Sequence, residues 1–323
     1  MRFPLDKPVP YDATAVRPRY DTLPAAVRAD IAAHLGGEPV EVRLAGGGFT
    51  GGFAARLTSD SGESMFVKAA GPHLPFVLNA YTYEAHHNLA LPEAVPAPRL
   101  RFTSQVDEWV VLGFEAVDGV APKLPLSPEA LRLMLRAWAD AADALTPAPR
   151  PLIDLGVEPL TTEGFESLGA IESGTEPAPP NLPDLAKRHL PELAWMEGNL
   201  AEAIQGSSVI HGDLRPDNMI LGTDRAWICD WTMLNVAAPF FDTVAFLVLA
   251  HGDGHYAEGM FWEHPTAADV GQEQLDAVLA ACVGYYLCNA DRPLMENVSP
   301  YIRRHQRWNG LAALDWLASR RGW

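Results

Sequence analysis

Lysine is scarce in this chain: Lys7, Lys68, Lys123 and Lys187 are the full set, and arginine carries the rest of the basic charge. No Gly-Lys pair occurs anywhere, which excludes a phosphate loop of the GxxxxGK[ST] type. Cysteine is scarcer still. Cys229, Cys282 and Cys288 form no CxxC pattern and are odd in number, so neither a disulfide framework nor a zinc knuckle is expected. Basic residues are outweighed, 24 against 41 acidic ones, for a net charge of -17. That balance excludes nucleic acid and anionic membrane as natural partners and favours cationic small molecules. The longest apolar run, TVAFLVLA at 243–250, is too short to span a bilayer, and the start MRFPLDKPVPYD has no basic region followed by an apolar core. A soluble protein of the reducing cytoplasm is expected.

What is present is enough apolar matter for a large core: 48% of 323 residues. The texture changes near residue 118. Before it, LPAAVRADIAAHLGG at 23–37 has helical spacing, VEVRLA and GFAARLTSD alternate as strands around a glycine cluster, and DSG at 60–62 turns the chain into SMFVKAA. Residues 76–91 read as a helix, and PRLRFTS and WVVLGFEAV as two more strands, giving a five-stranded antiparallel sheet with one internal helix. After it, helices are expected at about 128–146, 184–205, 240–250, 271–289 and 300–320. A polar, Pro-rich segment fills 147–182, ESGTEPAPPNLPD is expected as an exposed loop, and short strands NMIL and AWIC lie among the helices.

Three features carry chemistry. GGGFTG at 46–51 matches G-x-G-x-x-G, but a strand and not a helix follows, so the glycines sit in a hairpin tip where backbone N–H groups can approach a phosphate. Lys68 closes an apolar strand, and Glu84 lies in the helix that would cover that strand; the two can pair beneath the hairpin. In VIHGDLRPDNMIL, Asp213 and Asn218 are pinned by apolar runs on both sides, and Asp230 ends the strand AWICD twelve residues later. An amide oxygen and a carboxylate from neighbouring strand ends suit magnesium, with nucleotide phosphates completing its shell. Asp213 is left to receive a proton from a hydroxyl. A hydrolytic two-metal centre would need more histidine ligands, and His251, His255, His264 and His305 read as scattered surface residues, while His86 and His87 diverge on a helix.

The ordered set of glycine hairpin 46–52, Lys68, Glu84, VVLGFEAVDG, HGDLRPDN and ICDW resembles the aminoglycoside phosphotransferase and choline-kinase-like family, relatives of the protein kinases, from about residue 40 to 250. The resemblance implies an α+β, two-lobed protein-kinase-like fold: a nucleotide-binding lobe of residues 1–117, with the five-stranded sheet and its helix, and a larger, mostly helical catalytic and substrate-binding lobe of residues 118–323. It implies ATP or GTP between the lobes, with phosphates under Gly47, Gly48, Phe49, Thr50 and Gly51, clamped by Lys68 and Glu84, and adenine against the backbone near Glu115 to Val117. It implies Mg2+ on Asn218 and Asp230, and Asp213 as the catalytic aspartate. Arg215 stands where protein kinases carry a lysine, and contact with the transferred phosphoryl group is expected of it; a salt bridge at the loop surface is the alternative. Asp242 is expected to hold the catalytic loop.

Gly212 replaces the arginine of HRD and no APE follows, so a protein kinase with a phosphorylated activation segment is not expected. The expected activity is O-phosphorylation of a small-molecule hydroxyl, with antibiotic inactivation the leading subclass. Alternatives are a metabolic kinase for a sugar or amino alcohol and a nucleotide-binding accessory protein. Asp253, Glu258, Glu263 and Glu296 read as solvated helix surface, and the closing segment 303–323 as an amphipathic helix.

Overall fold

The computed structural model describes residues 9–323. Helix α1 (Ala25–Leu35) precedes strands β1 (Pro39–Leu44), β2 (Phe53–Ser59) and β3 (Ser64–Ala70); helix α2 (Pro75–Ala90) then leads to β4 (Leu100–Val106) and β5 (Trp109–Glu115). The five strands are antiparallel neighbours in the order β1-β2-β3-β5-β4. Alternation along β3 sorts its side chains. Met65, Val67 and Ala69 join Phe53 and Leu57 beneath Val27, Ile31 and Leu35 of α1. Phe66 and Ala70 take the other face, with Leu112 and Phe114, under Val77, Tyr81 and Ala85 of α2. The same period of two puts Lys68 on the α2 face, so the apolar strand carries the lysine under a helix and away from water.

The remainder is helical around four short strands. Helix α3 (Pro128–Ala144) starts on Ser127, whose Oγ accepts from the Ala130 N–H at 3.1 Å, with proline at the first helical turn. Its apolar stripe buries Trp138, whose Nε1 donates to Thr243 Oγ1 at 3.0 Å. There follow α4 (Arg150–Asp154), α5 (Ser167–Glu172), α6 (Asp184–Arg188), α7 (Leu190–Gly198) and α8 (Leu200–Ala203). Strands β6 (Ser208–Ile210), β7 (Met219–Leu221), β8 (Ala226–Ile228) and β9 (Asn235–Ala237) pair as β6-β9 and β7-β8. Helices α9 (Phe240–Gly252), α10 (Ala257–Glu263), α11 (Gln272–Ala290) and α12 (Tyr301–Arg321) complete the chain.

Several expectations need correction. The Pro-rich segment 147–182 contains two short helices, and 184–205 is three helices instead of one. Pro191 in the first turn of α7 lacks an N–H for a continuous ladder, which ends α6 before it. Strand β9 and helix α10 are too short to leave a periodic signal. His264 and His305 are buried: His264 Nε2 lies 3.1 Å from the Leu135 carbonyl and His305 Nδ1 2.7 Å from the Tyr11 hydroxyl. His251 pairs with Asp315, and His255 lies 3.0 Å from the Leu126 carbonyl. Asp253 and Glu258 are not solvated surface either. Asp253 accepts from the Leu126 N–H, while Glu258 accepts from the indoles of Trp262 and Trp316 at 2.7 and 2.8 Å and pairs with Arg320. A helix period identifies one buried face; these helices are packed on a second side as well. Glu263 and Glu296 are exposed as expected, as is most of 172–184, and Trp308, Leu314, Trp316 and Leu317 of α12 pack inward.

Glu197 of α7 is the least comfortable buried group. One carboxylate oxygen accepts from the Gly169 N–H at 2.9 Å; Oε1 has no partner and sits where a Cβ on Gly284 would come within 2.3 Å. Burial pushes its carboxyl up to about 7, against the opposing pull of the Gly169 and Leu168 N–H groups. A carboxyl raised above its unfolded value makes the native state take up a proton, so its contribution to stability falls as pH rises toward and through 7. Glu197→Gln is expected to melt above the wild type at pH 8, by on the order of 2 kcal/mol, and to match it near pH 5. Paired thermal melts at the two pH values check this; an offset independent of pH would refute it.

Candidate active site

Lys68 is the centre of the arrangement. Its ammonium donates to both oxygens of Glu84 at 2.7 Å and to Asp230 Oδ1 at 3.3 Å. Tyr81 and Phe114 bring their rings within 5.4 and 5.9 Å of it. Burial would discharge the amine, but the carboxylates of Asp230 and Glu84 outweigh burial and hold it protonated, well above the ordinary lysine range. The expected pair is therefore present, and it reaches across to the helical part of the molecule. Burial also works against the Asp230 carboxylate; the Lys68 ammonium bonded to it prevails and holds it below the usual range. Asp230 has φ of 65°, a left-handed conformation unusual outside glycine, and its side chain is 39% exposed.

The loop between β6 and β7 is fixed by polar bonds to buried groups. Asp242, fully buried at the start of α9, accepts from the N–H groups of His211 at 2.6 Å and Gly212 at 3.2 Å. Burial raises its carboxyl to about 7 despite these donors. Gly212 has φ of 75°, and a Cβ there would stand 2.2 Å from the Met233 carbonyl, so no other residue fits. His211 is buried, which lowers it to about 4 and keeps it neutral: Nε2 faces the Cys229 carbonyl at 2.9 Å and Nδ1 accepts from the Asp213 N–H at 3.3 Å. One imidazole thus joins the Asp213 loop to the residue before Asp230.

Both oxygens of Asp213 are engaged: Oδ1 by Arg215 Nη1 at 2.8 Å and Oδ2 by Asn218 Nδ2 at 3.2 Å. Burial raises its carboxyl to about 6, with Arg215 opposing. Arg215 also donates to both oxygens of Asp217 at 3.0 and 3.1 Å and lies over the Phe49 ring at 5.1 Å. It is an interior bridge between two carboxylates and not a surface salt bridge. Asn218 directs its amide N–H2 to Asp213, which leaves its amide oxygen pointing elsewhere, and β7 pairs with β8 through Met219 and Ile228, bringing Asn218 beside Cys229 and Asp230. An uncommitted amide oxygen and a half-exposed carboxylate fit a hard cation. Among the described residues no cluster of three or more His, Cys, Asp or Glu could hold a metal by itself, so phosphate oxygens would have to complete the shell.

The glycine loop between β1 and β2 meets parts of the chain that its spacing did not suggest. Phe49 is buried against Tyr11 and His305, Thr50 forms a bridge with Val298, and the carbonyls of Gly47 and Gly48 accept from Arg17 and Thr14. At the other end of the sheet, the Glu115 N–H donates to the Arg99 carbonyl and the Val117 carbonyl accepts from Arg56 Nη1 at 3.2 Å. Asp217, with a side chain 0% exposed, and His87, whose Nδ1 lies 2.9 Å from the Trp231 carbonyl, were not anticipated. Asp217 stands inside the motif and could have been found there; His87 could not, since its partner is 144 residues away.

Comparison with known proteins shows the family and the fold. The model of the phosphotransferase enzyme family matches residues 42–281. No curated protein matches the chain in sequence. Among solved structures, a spectinomycin phosphotransferase in complex with ADP and spectinomycin is similar at a TM-score of 0.59 and 13% identity, covering 89% of this chain and 96% of that one. A choline kinase from Streptococcus pneumoniae gives 0.58 and 17%, covering 91% and 98%. A putative fructosamine-3-kinase from Thermobifida fusca gives 0.51 and 19%, covering 90% and 99%. At such identities the likeness is one of fold, and the fold is the two-lobed kinase-like one. No helix among the described residues is long and apolar enough to cross a membrane.

Asp242→Asn turns an amide N–H2 or a single oxygen toward two backbone donors. It is expected to lower the unfolding free energy by about 1–3 kcal/mol, measured by chemical denaturation. A transition superimposable on the wild type would mean that this carboxylate does not hold the loop.

Proposed function

The chain belongs to the phosphotransferase enzyme family and is a phosphotransferase acting on hydroxyl groups, and on that premise we propose that it moves the terminal phosphoryl group of ATP to a small-molecule alcohol, with an antibiotic as the acceptor. One observation carries the reading: Lys68, bonded to Glu84, also bonds Asp230, while Asn218, whose carbonyl accepts from the N–H of Cys229 next to Asp230, bonds Asp213. Phosphate clamp, cation ligands and proton acceptor are thereby one connected set.

In this reading the glycine loop and Lys68 hold the triphosphate, and Asn218 and Asp230 would hold Mg2+. When bound, the ion neutralises and orients the phosphate oxygens. The acceptor hydroxyl gives its proton toward Asp213 as its oxygen attacks the terminal phosphorus, and the bond to the bridging oxygen breaks to release ADP. Asp213 Oδ1 and Oδ2 each accept one side-chain bond and keep a further lone pair for the hydroxyl. Arg215, turned from Asp213 Oδ1, would bring its guanidinium to the transferred group, while Asp217 keeps its other edge. Little else is needed, because phosphoryl transfer asks mainly for positioning and charge neutralisation.

ATP is favoured as donor because structures of similar fold carry ADP or AMP-PNP. The antibiotic reading draws on a spectinomycin phosphotransferase of similar fold; a choline kinase and a putative fructosamine-3-kinase of similar fold make amino alcohols and sugar derivatives the competing acceptors. The overall acidity favours a cationic acceptor only weakly, since Asp213 and Asp217 already share Arg215.

Nucleotide consumption should be measured with ATP and GTP against aminoglycosides, spectinomycin, macrolides, amino alcohols and sugars. Acceptor-dependent turnover with one antibiotic class is expected. Tight Mg-nucleotide binding without turnover on any hydroxyl compound would favour an accessory protein instead. Asp213→Asn is expected to lower kcat by roughly 10²–10⁴-fold with Mg-ATP affinity little changed, whereas Asp230→Asn should lose magnesium-dependent nucleotide binding. Wild-type turnover in Asp213→Asn would sink the mechanism.

A further inference from the structure

The glycine loop is held by a segment that precedes the family match. Residues 11–17 run along it as a strap. Arg17 spans three of its carbonyls: Nε donates to Ala45 at 2.9 Å, Nη2 to Gly47 at 2.6 Å and Nη1 to Gly52 at 2.7 Å. Between them the Ala15 N–H donates to Gly46 at 2.8 Å and Thr14 Oγ1 to Gly48 at 3.0 Å; the Ser299 N–H takes Phe49 at 2.8 Å. Five consecutive carbonyls, from Ala45 to Phe49, are thus occupied from the strap or from the turn before α12. The strap itself is secured by Ser299 Oγ on the Thr14 carbonyl at 2.6 Å and by the Tyr11 hydroxyl on His305. Gly46 permits the contact, since a Cβ there would stand 1.9 Å from the Asp12 carbonyl.

A loop that cradles phosphates has to offer N–H groups and keep carbonyl lone pairs away from the anion. Left alone, a run of glycines samples many conformations, most of which turn some carbonyls inward. A guanidinium has the rigid fork to satisfy three carbonyls at once, and its charge adds to the positive potential at the phosphate side. No carboxylate among the described residues forms an ion pair with Arg17, so its donors and charge serve the loop.

We propose that Arg17 is a positioning residue of the nucleotide site: by holding the carbonyls of Ala45, Gly47 and Gly52 it fixes the glycine loop for the triphosphate. This rests on the reading of the loop as the phosphate cradle. It implies that affinity for phosphates depends on a residue outside the kinase-like core, and that adenosine binding does not.

The test measures Mg-ATP and adenosine binding by calorimetry, with steady-state kinetics, for the wild type, Arg17→Ala, Arg17→Lys and Thr14→Val. Arg17→Ala is expected to weaken Mg-ATP about tenfold, to raise KM for ATP with KM for the acceptor unchanged, and to leave adenosine within about twofold. Arg17→Lys should recover part of the loss, and Thr14→Val, which removes one contact, should follow the same pattern more weakly. If Arg17→Ala does not fold, the other two variants carry the test. Equal loss of adenosine and Mg-ATP, or Mg-ATP binding as tight as in the wild type, overturns the proposal. A wild type that binds adenosine but gains nothing from the phosphates overturns the cradle reading itself, and this proposal with it.

Discussion

Lys68 joins the two parts of the molecule by charge. Its ammonium is shared between Glu84 on the helix above the sheet and Asp230 at the end of a strand in the helical part. A buried ammonium with one carboxylate would be neutral in sum; with two it leaves a net negative charge at the site. In the proposed reading, that is the field a divalent cation at Asp230 would answer. Removing one member of such a buried set strands the others, typically at a cost of about 3–5 kcal/mol. The lysine's position follows from a strand period of two, and everything at the interface is built around it.

Below it, the polar loop is stable because nearly every polar atom has a buried partner. Asp242 collects two N–H groups, neutral His211 links the loop to the Cys229 carbonyl, and Arg215 divides itself between Asp213 and Asp217. Gly212 admits the tight backbone turn that lets all three meet. The loop is consequently braced by the chain's own contacts. Preorganisation of this kind suits a reaction in which position and charge do most of the catalysis.

Several features were legible because they are local. The five strands and their covering helix follow from alternation and helical spacing, and the polar cluster from HGDLRPDN read with ICDW. Others were illegible because their cause lies far along the chain. His305 looked like a surface residue until Tyr11, 294 positions earlier, was brought to it. Asp253 and Glu258 have the spacing of a solvated helix face, yet the connection before α3 meets the first and α12 the second. Glu197 gives no sign in its own helix that Gly284 and the start of α5 will enclose it.

The glycine loop divides the two kinds of information most clearly. Its glycines, its place between two strands and its order ahead of Lys68 and Glu84 are sequence properties, since each depends on neighbours within a few residues or on simple periodicity. The sequence alone therefore determined the sheet, the order of the candidate site residues and the identity of the groups proposed to bind phosphate, cation and proton. Only the tertiary structure decided what holds those groups still. A hydrogen bond forms between atoms within about 3 Å whatever their separation in the chain, and the donors that reach this loop, from Thr14, Arg17 and Ser299, come from opposite ends of the protein.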